Sequence, residues 1–239
     1  MKPIIPFLGE DLLTLGKRCG AVYICPKDSS GKRLGPLVVY AGKDPQDRNL
    51  VGDMYFNFRK IEEYQLVVMA FAEAAYRKLR DLRLLGSFDT ICGIPNGGRT
   101  FGQALALVAD KRFVYADKKP KPTEAGKKQE YSWDLSQFTF KPGERVAIAE
   151  DVFNNFQNTD STLAQILNTG AKIELLVGAL NRSPVYSTVY KGLPVVASIQ
   201  EVYPEYRQDD PEVIEDIAAG KLELEVKKNW AALCAIMQQ

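Results

Sequence analysis

Residues 146–162 read VAIAEDVFNNFQNTDST. Four small or branched apolar residues in a row, Val146, Ala147, Ile148 and Ala149, suit a parallel strand covered on both faces of a sheet. Glu150 and Asp151 then stand at the expected carboxyl end of that strand, the edge where open α/β sheets bind ligands. Two adjacent carboxylates there can accept hydrogen bonds from vicinal hydroxyls. A helix is expected to begin near Ser161, offering free N–H groups and a positive dipole end to an anion, with the hydroxyls of Thr159, Ser161 and Thr162 as added donors. A strand ending at solvent, followed by an Asp160 or Ser161 that merely caps a helix, fits the same letters. The surrounding sequence has to decide.

Upstream, residues 60–82 place Ile61, Tyr64, Val67, Val68, Phe71, Ala75, Leu79 and Leu82 near a helical repeat, which predicts a long amphipathic helix. A strand over 88–94 follows, closed by Pro95-Asn96-Gly97-Gly98, and a helix over about 100–108. Strands are expected at 112–116, 146–149, 173–180 and 193–199, with a helix at 162–168. This alternation argues for a parallel sheet with helices on both faces. The connection over 117–144 is rich in Lys, Pro and Gly and far longer than the ~2–6 residues usual there, so it reads as a lid, with a β-ribbon over 131–140 and a mobile part over 118–129. Beyond the core, Asp210-Pro211 and Gly220 frame a short capped helix, and 228–237 reads as a terminal amphipathic one.

A chain of 239 residues with 46% hydrophobic and 26% charged residues has the composition of a globular protein built on one core. Its formal net charge of +1 demands no polyanionic partner, so no nucleic acid is expected. The apolar run before Glu10 is too short for a signal peptide and no run reaches membrane-spanning length; a cytoplasmic location without a membrane partner is the expectation. The chain has no histidine, which removes the commonest metal ligand and general base. Cys19, Cys25, Cys92 and Cys234 form no CxxC pair and read as reduced, mostly buried thiols. No metal-ligating residue set is expected.

The 146–162 segment resembles the PRPP-binding motif of type I phosphoribosyltransferases, in which an apolar strand, two acids and a Thr-Gly-rich loop hold the ribose and its 5′-phosphate. Asn154 to Gln157 stand as extra residues, and Asn158-Thr159-Asp160-Ser161-Thr162 occupies the place of Thr-Thr-Gly-Gly-Ser. Asp160 repels a phosphate and gives up the conformational freedom of glycine. Residues 91–102, ICGIPNGGRTFG, resemble the family's pyrophosphate loop: Asn96, Gly97 and Gly98 let backbone N–H groups approach an anion and Arg99 adds charge, although Pro-Asn-Gly-Gly is also an ordinary turn. Where the resemblance implies a basic pair followed by a lysine that swings over pyrophosphate, Tyr115 and Ala116 replace the pair, and Lys118, Lys119 and Lys121 are the lid candidates, Lys119 in best register.

Residues 54–60, MYFNFRK, resemble the aromatic-rich segment of orotate phosphoribosyltransferases, with Tyr55 and Phe56 as base contacts. Tyr40-Ala41-Gly42-Lys43 stands at the base-binding loop, Tyr40 in the lysine position, and Arg182 after the strand is placed to pair with a carboxylate. Ordinary edge strands and surface charges would read alike. The resemblance implies an α/β fold with a five-stranded parallel sheet flanked by helices, a small hood over 1–59, a core over 60–200 and a C-terminal helical extension over 201–239 packed on the core. It also implies a homodimer, Mg²⁺ as cofactor, PRPP and a nucleobase as substrates, and Asp151 and Lys119 as catalytic groups. An enzyme for another base and a non-catalytic PRPP-binding regulator are the alternatives; a dinucleotide-binding oxidoreductase lacks its GxGxxG.

Overall fold

The computed structural model describes residues 4–6, 9–120, 122 and 131–237; the side chains of Lys118, Tyr131, Gln157 and Asn158 are outside the description. The chain divides into two compact units, residues 1–8 with 62–201, and residues 9–61 with 202–239.

The unit of residues 9–61 and 202–239 begins with α1 (Leu12–Arg18), β1 (Val22–Ile24), β2 (Leu37–Lys43), β3 (Asn49–Gly52), β4 (Met54–Phe56) and α2 (Phe58–Ile61). β1 and β4 form an antiparallel ribbon and β2 and β3 an antiparallel pair. The pairing is apolar inward: Tyr23, Val38, Val51, Met54 and Phe56 are all buried.

The larger unit runs α3 (Gln65–Asp81), β5 (Thr90–Gly93), α4 (Gly97–Ala109), β6 (Arg112–Tyr115), β7 (Asp117–Pro120), β8 (Tyr131–Asp134), β9 (Arg145–Phe153), α5 (Gln157–Leu167), β10 (Lys172–Asn181), β11 (Val189–Tyr190) and β12 (Leu193–Gln200). Its main sheet has the order β11-β12-β10-β9-β5-β6. Five of these strands are parallel, and β11 adds a short antiparallel edge. The five-stranded parallel core expected from the alternation is therefore present with one extra strand, contributed by the hairpin whose turn residues Lys191 and Gly192 both have positive φ.

Period-two alternation on β9 sorts the core. Val146 and Ile148 join Leu163 and Ile166 of α5 in one cluster, while the smaller Ala149 lets Gly102 of α4 approach so closely that an added Cβ would lie 2.9 Å from its own. The long helix expected over 60–82 is split: α2 ends at Ile61 and α3 begins at Gln65 after an extended Tyr64. Of the 117–144 connection, β7 and β8 pair as an antiparallel hairpin, so the ribbon starts earlier than 131 and is shorter; most of 118–129, the part expected to be mobile, lies outside the described residues.

The remaining elements are α6 (Ile214–Ala218), β13 (Leu222–Glu223) and α7 (Trp230–Ile236). The 201–239 segment was expected as an extension packed on the core. Within its own unit, β13 pairs in parallel with β2, and Trp230 of α7 donates its indole N–H to the Gly20 carbonyl at 2.7 Å, which groups this segment with the N-terminal one. The short helix starts at Ile214 rather than at Pro211, after a turn in which the Asp210 carbonyl accepts from the N–H groups of Val213 and Ile214. No helix among the described residues is long and apolar enough to cross a membrane.

Candidate functional site

β5 and β9 pair up to Gly93 and Ala149, and the Ile94 N–H closes the ladder on the Ala149 carbonyl at 2.8 Å. β9 then continues, paired with β10 alone, through Glu150 and Asp151 to Phe153. The acids thus lie within the strand rather than after it, because β10 keeps supplying backbone partners where β5 has stopped. Residues 95–98 fill the place left by β5. A Cβ on Gly97 would overlap the Asp151 carboxylate, and one on Gly98 would lie 2.5 Å from the Ala149 carbonyl oxygen and 2.9 Å from the Glu150 Cα. Only glycines let this loop rest on the acidic segment, and the two stretches singled out in the sequence meet here.

Alternation separates the two acids. Asp151 shares the face of Ala147 and Ala149 and meets the glycine loop half-buried. Glu150 shares the face of Val146 and Ile148 and is buried, its Oε1 accepting the Asp151 N–H at 3.2 Å. Burial, then the neighbouring Asp151 charge, push the Glu150 carboxyl well above its ordinary range. The two acids are therefore unequal: Asp151 faces the loop, and Glu150 is an interior carboxyl that holds its proton where an exposed glutamate has lost it. Among the described residues no group of three His, Cys, Asp or Glu could hold a metal. A hard cation carried in on substrate oxygens and touching one or two protein carboxylates fits such a donor set.

Arg99 follows the glycines in the first turn of α4. Its guanidinium lies over the Tyr115 ring, 3.7 Å from the centroid, and Nη1 donates to Asp117 Oδ1 at 3.2 Å. Asn96 precedes α4 without a side-chain cap bond. Lys119 on β7 pairs with Asp134 on β8; that contact raises the lysine and holds the aspartate down at about 2. Its ammonium is engaged within the hairpin. Lys121 and the side chain of Lys118 are outside the described residues.

The phosphate half differs from expectation. α5 begins at Gln157, four residues before Ser161, behind Phe156 in the left-handed region. The insertion 154–157 supplies that turn, and the Phe156 ring stacks between Phe153 (4.8 Å) and Tyr190 (4.2 Å), which anchors the early start. Asn158 to Thr162 are consequently helical rather than a loop. Thr159 and Thr162 are buried and Ser161 is exposed; the Asn158 side chain is not described. Asp160 accepts from Tyr190 Oη at 2.9 Å and Lys191 Nζ at 2.7 Å, and its hydrogen bond raises the lysine. Sequence reading missed both partners; the Tyr-Lys-Gly turn was the available signal.

Arg182 follows β10, 7% exposed, and its backbone N–H donates to the Phe153 carbonyl at 3.1 Å. The other expected base contacts lie in the unit of residues 9–61 and 202–239. Tyr40 is buried, with its hydroxyl donated to the Met54 carbonyl at 2.7 Å and its ring over Gly52; Phe56 is buried against Phe58. Neither is free to stack on a base as placed. Tyr55, with Tyr40, lines a cavity of about 400 Å³, and Lys43 donates to the Asp47 carbonyl and Asn49.

No protein-family model and no curated protein matches the sequence. Solved structures do match. The UMP synthase of Leishmania donovani aligns with a TM-score of 0.52 and 16% identity, over 79% of this chain and 35% of its own length, so the present chain spans about a third of that protein. An orotate phosphoribosyltransferase from Aeropyrum pernix aligns with a TM-score of 0.53 and 16% identity, over 79% and 93%. The chain has the type I phosphoribosyltransferase fold.

Proposed function

We propose that this chain, built on the type I phosphoribosyltransferase fold, is a PRPP-dependent transferase that moves ribose 5-phosphate to a nitrogen of a base and releases pyrophosphate, with orotate as the base. The observation that carries the proposal is the packing of Gly97 and Gly98 on Glu150 and Asp151, which puts an anion-approaching loop beside a hydroxyl-binding acid. Breaking the bond from C1 to the pyrophosphate oxygen develops positive charge on the ribose. Catalysis then rests on holding the ring and stabilising the leaving group, and needs no nucleophile or histidine.

Asp151 accepts from the ribose hydroxyls, and Glu150, buried behind it, accepts the Asp151 N–H and holds that segment of β9 in place. The loop N–H groups and Arg99 take the pyrophosphate. Lys119, released from Asp134, adds an ammonium as the hairpin closes. The α5 start takes the 5′-phosphate, where Lys191 neutralises Asp160 and Tyr190 donates a hydrogen bond to it. Arg182 pairs with the orotate carboxylate. Mg²⁺, when bound, neutralises charge on the diphosphate. The enzyme is expected to be a homodimer, and its four free cysteines suit the reducing cytoplasm.

The test is pyrophosphate release from PRPP and Mg²⁺ with orotate and a panel of other bases. Wild type should turn over with orotate, and Asp151→Asn should lose on the order of 100-fold in kcat/KM. The buried Tyr40 and Phe56 favour a second reading, transfer to another base. Turnover with a different base alone replaces the substrate; PRPP binding without release for any base replaces the enzyme with a regulator.

A further inference from the structure

Arg99 occupies an unusual setting for a loop cation. One guanidinium nitrogen, Nη1, is held by Asp117 at 3.2 Å, and the flat face rests 3.7 Å from the Tyr115 centroid. Nε and Nη2 donate to no group among the described residues. Tyr115 is itself braced, edge-on against Phe138 at 5.1 Å and tilted against Phe113 at 6.0 Å, and its backbone is locked opposite Gly93 in the β5–β6 ladder. The ring is thus fixed by strand and neighbours, and the guanidinium, about a third exposed, is fixed by the ring. A planar cation stacked on one face and tethered at one corner keeps its remaining edge for an oxyanion, at little further cost in side-chain entropy.

We propose that Tyr115 is a positioning residue for the leaving pyrophosphate. It acts through Arg99, whose Nε–Nη2 edge takes the pyrophosphate oxygens, so that the cation absent from β6 is supplied from the first turn of α4. This rests on the transferase reading above. It assigns Tyr115, a residue with no charge of its own, a role in pyrophosphate affinity, and it separates that role from ribose binding at Asp151.

The experiment measures pyrophosphate and ribose 5-phosphate dissociation constants by calorimetry, and KM for PRPP, for wild type, Tyr115→Leu, Tyr115→Phe, Arg99→Lys and Tyr115→Leu/Arg99→Lys. Tyr115→Leu should weaken pyrophosphate about five- to tenfold, the range of one stacked cation, and raise KM for PRPP by a similar factor with ribose 5-phosphate affinity unchanged. Tyr115→Phe, which keeps the ring, should stay within about twofold of wild type. Arg99→Lys, at a position about a third exposed that folding tolerates, loses the planar fork and should weaken pyrophosphate as Tyr115→Leu does. The double variant should be no weaker than Arg99→Lys alone. Unchanged pyrophosphate affinity in Tyr115→Leu, or equal losses in Tyr115→Phe and Tyr115→Leu, overturns the role of Tyr115 while wild-type turnover leaves the transferase intact. A wild type that binds neither PRPP nor pyrophosphate overturns both.

Discussion

Replacing Gly97 by alanine adds one carbon at the point where the loop meets Asp151. Built on the present backbone, that carbon lies 2.6 Å from the Asp151 Cγ and 2.8 Å from its Cβ, and closer still to Oδ2, whereas ordinary contact starts near 3.4 Å. Relief therefore needs a displacement of at least about 0.8 Å. Rotating the carboxylate alone does not suffice, because the Asp151 Cβ, fixed to the β9 backbone, is among the overlapping atoms. A shift near 1 Å in a group that positions the reacting sugar costs on the order of 100-fold in rate. Stability should fall as well: Gly97 is the first residue of α4 and has no positive φ, so alanine suits its backbone, but the overlap with Asp151 costs about 1–3 kcal/mol. Gly97→Ala should thus lower the melting temperature and, in the folded protein, lose about two orders of magnitude in kcat/KM for pyrophosphate release. Gly86→Ala, which meets nothing within 4 Å and needs no positive φ, is the matched control and should behave as wild type. A fully active Gly97→Ala would falsify the claim that the loop holds Asp151 for catalysis.

Glu150 makes stability depend on pH. Its folded pKa is raised, so its contribution is fully present below the ordinary value of 4.5 and is lost as pH rises through the folded value. Glu150→Gln removes that loss, and its melting temperature should gain on wild type as pH rises above 4.5; a gap independent of pH contradicts the buried carboxyl. Lys191→Ala leaves Asp160 with Tyr190 alone, and because the pair is exposed, the denaturant midpoint should stay close to that of wild type. KM for PRPP should nevertheless rise several-fold, and an unchanged KM places the 5′-phosphate away from α5. Gly178→Ala presses a methyl to 2.8 Å from the buried Phe153 ring, which cannot recede from its stack on Phe156. A loss of about 1–3 kcal/mol in urea unfolding is expected, and an undisturbed midpoint would show that the stack yields.

The parallel core was legible because its strands are apolar runs interrupted by turn or charged residues, and the Gly97-Gly98 pair marks the turn at which α4 begins. β11 was not legible as a strand of the sheet: two residues carry no periodicity, and only the Tyr-Lys-Gly turn announces the hairpin. The start of α5 was misplaced because Phe156 adopts a left-handed conformation that no local rule assigns to phenylalanine; stacking by Phe153 and Tyr190 selects it. The pairing of β13 with β2 was out of reach of sequence patterns, since it joins segments far apart in the chain. At the site, the types and positions of Gly97, Gly98, Glu150 and Asp151 could be read from the sequence. Their inequality could not, since alternation separates the acids only once β9 is known to continue past them.

The most direct test of the ribose cradle is a crystal structure of the protein with Mg²⁺ and PRPP in the absence of a base. The ribose hydroxyls should lie within hydrogen-bond distance of Asp151, with the diphosphate over Gly97, Gly98 and Arg99. A sugar phosphate bound elsewhere, with Asp151 making no contact to it, contradicts the assignment.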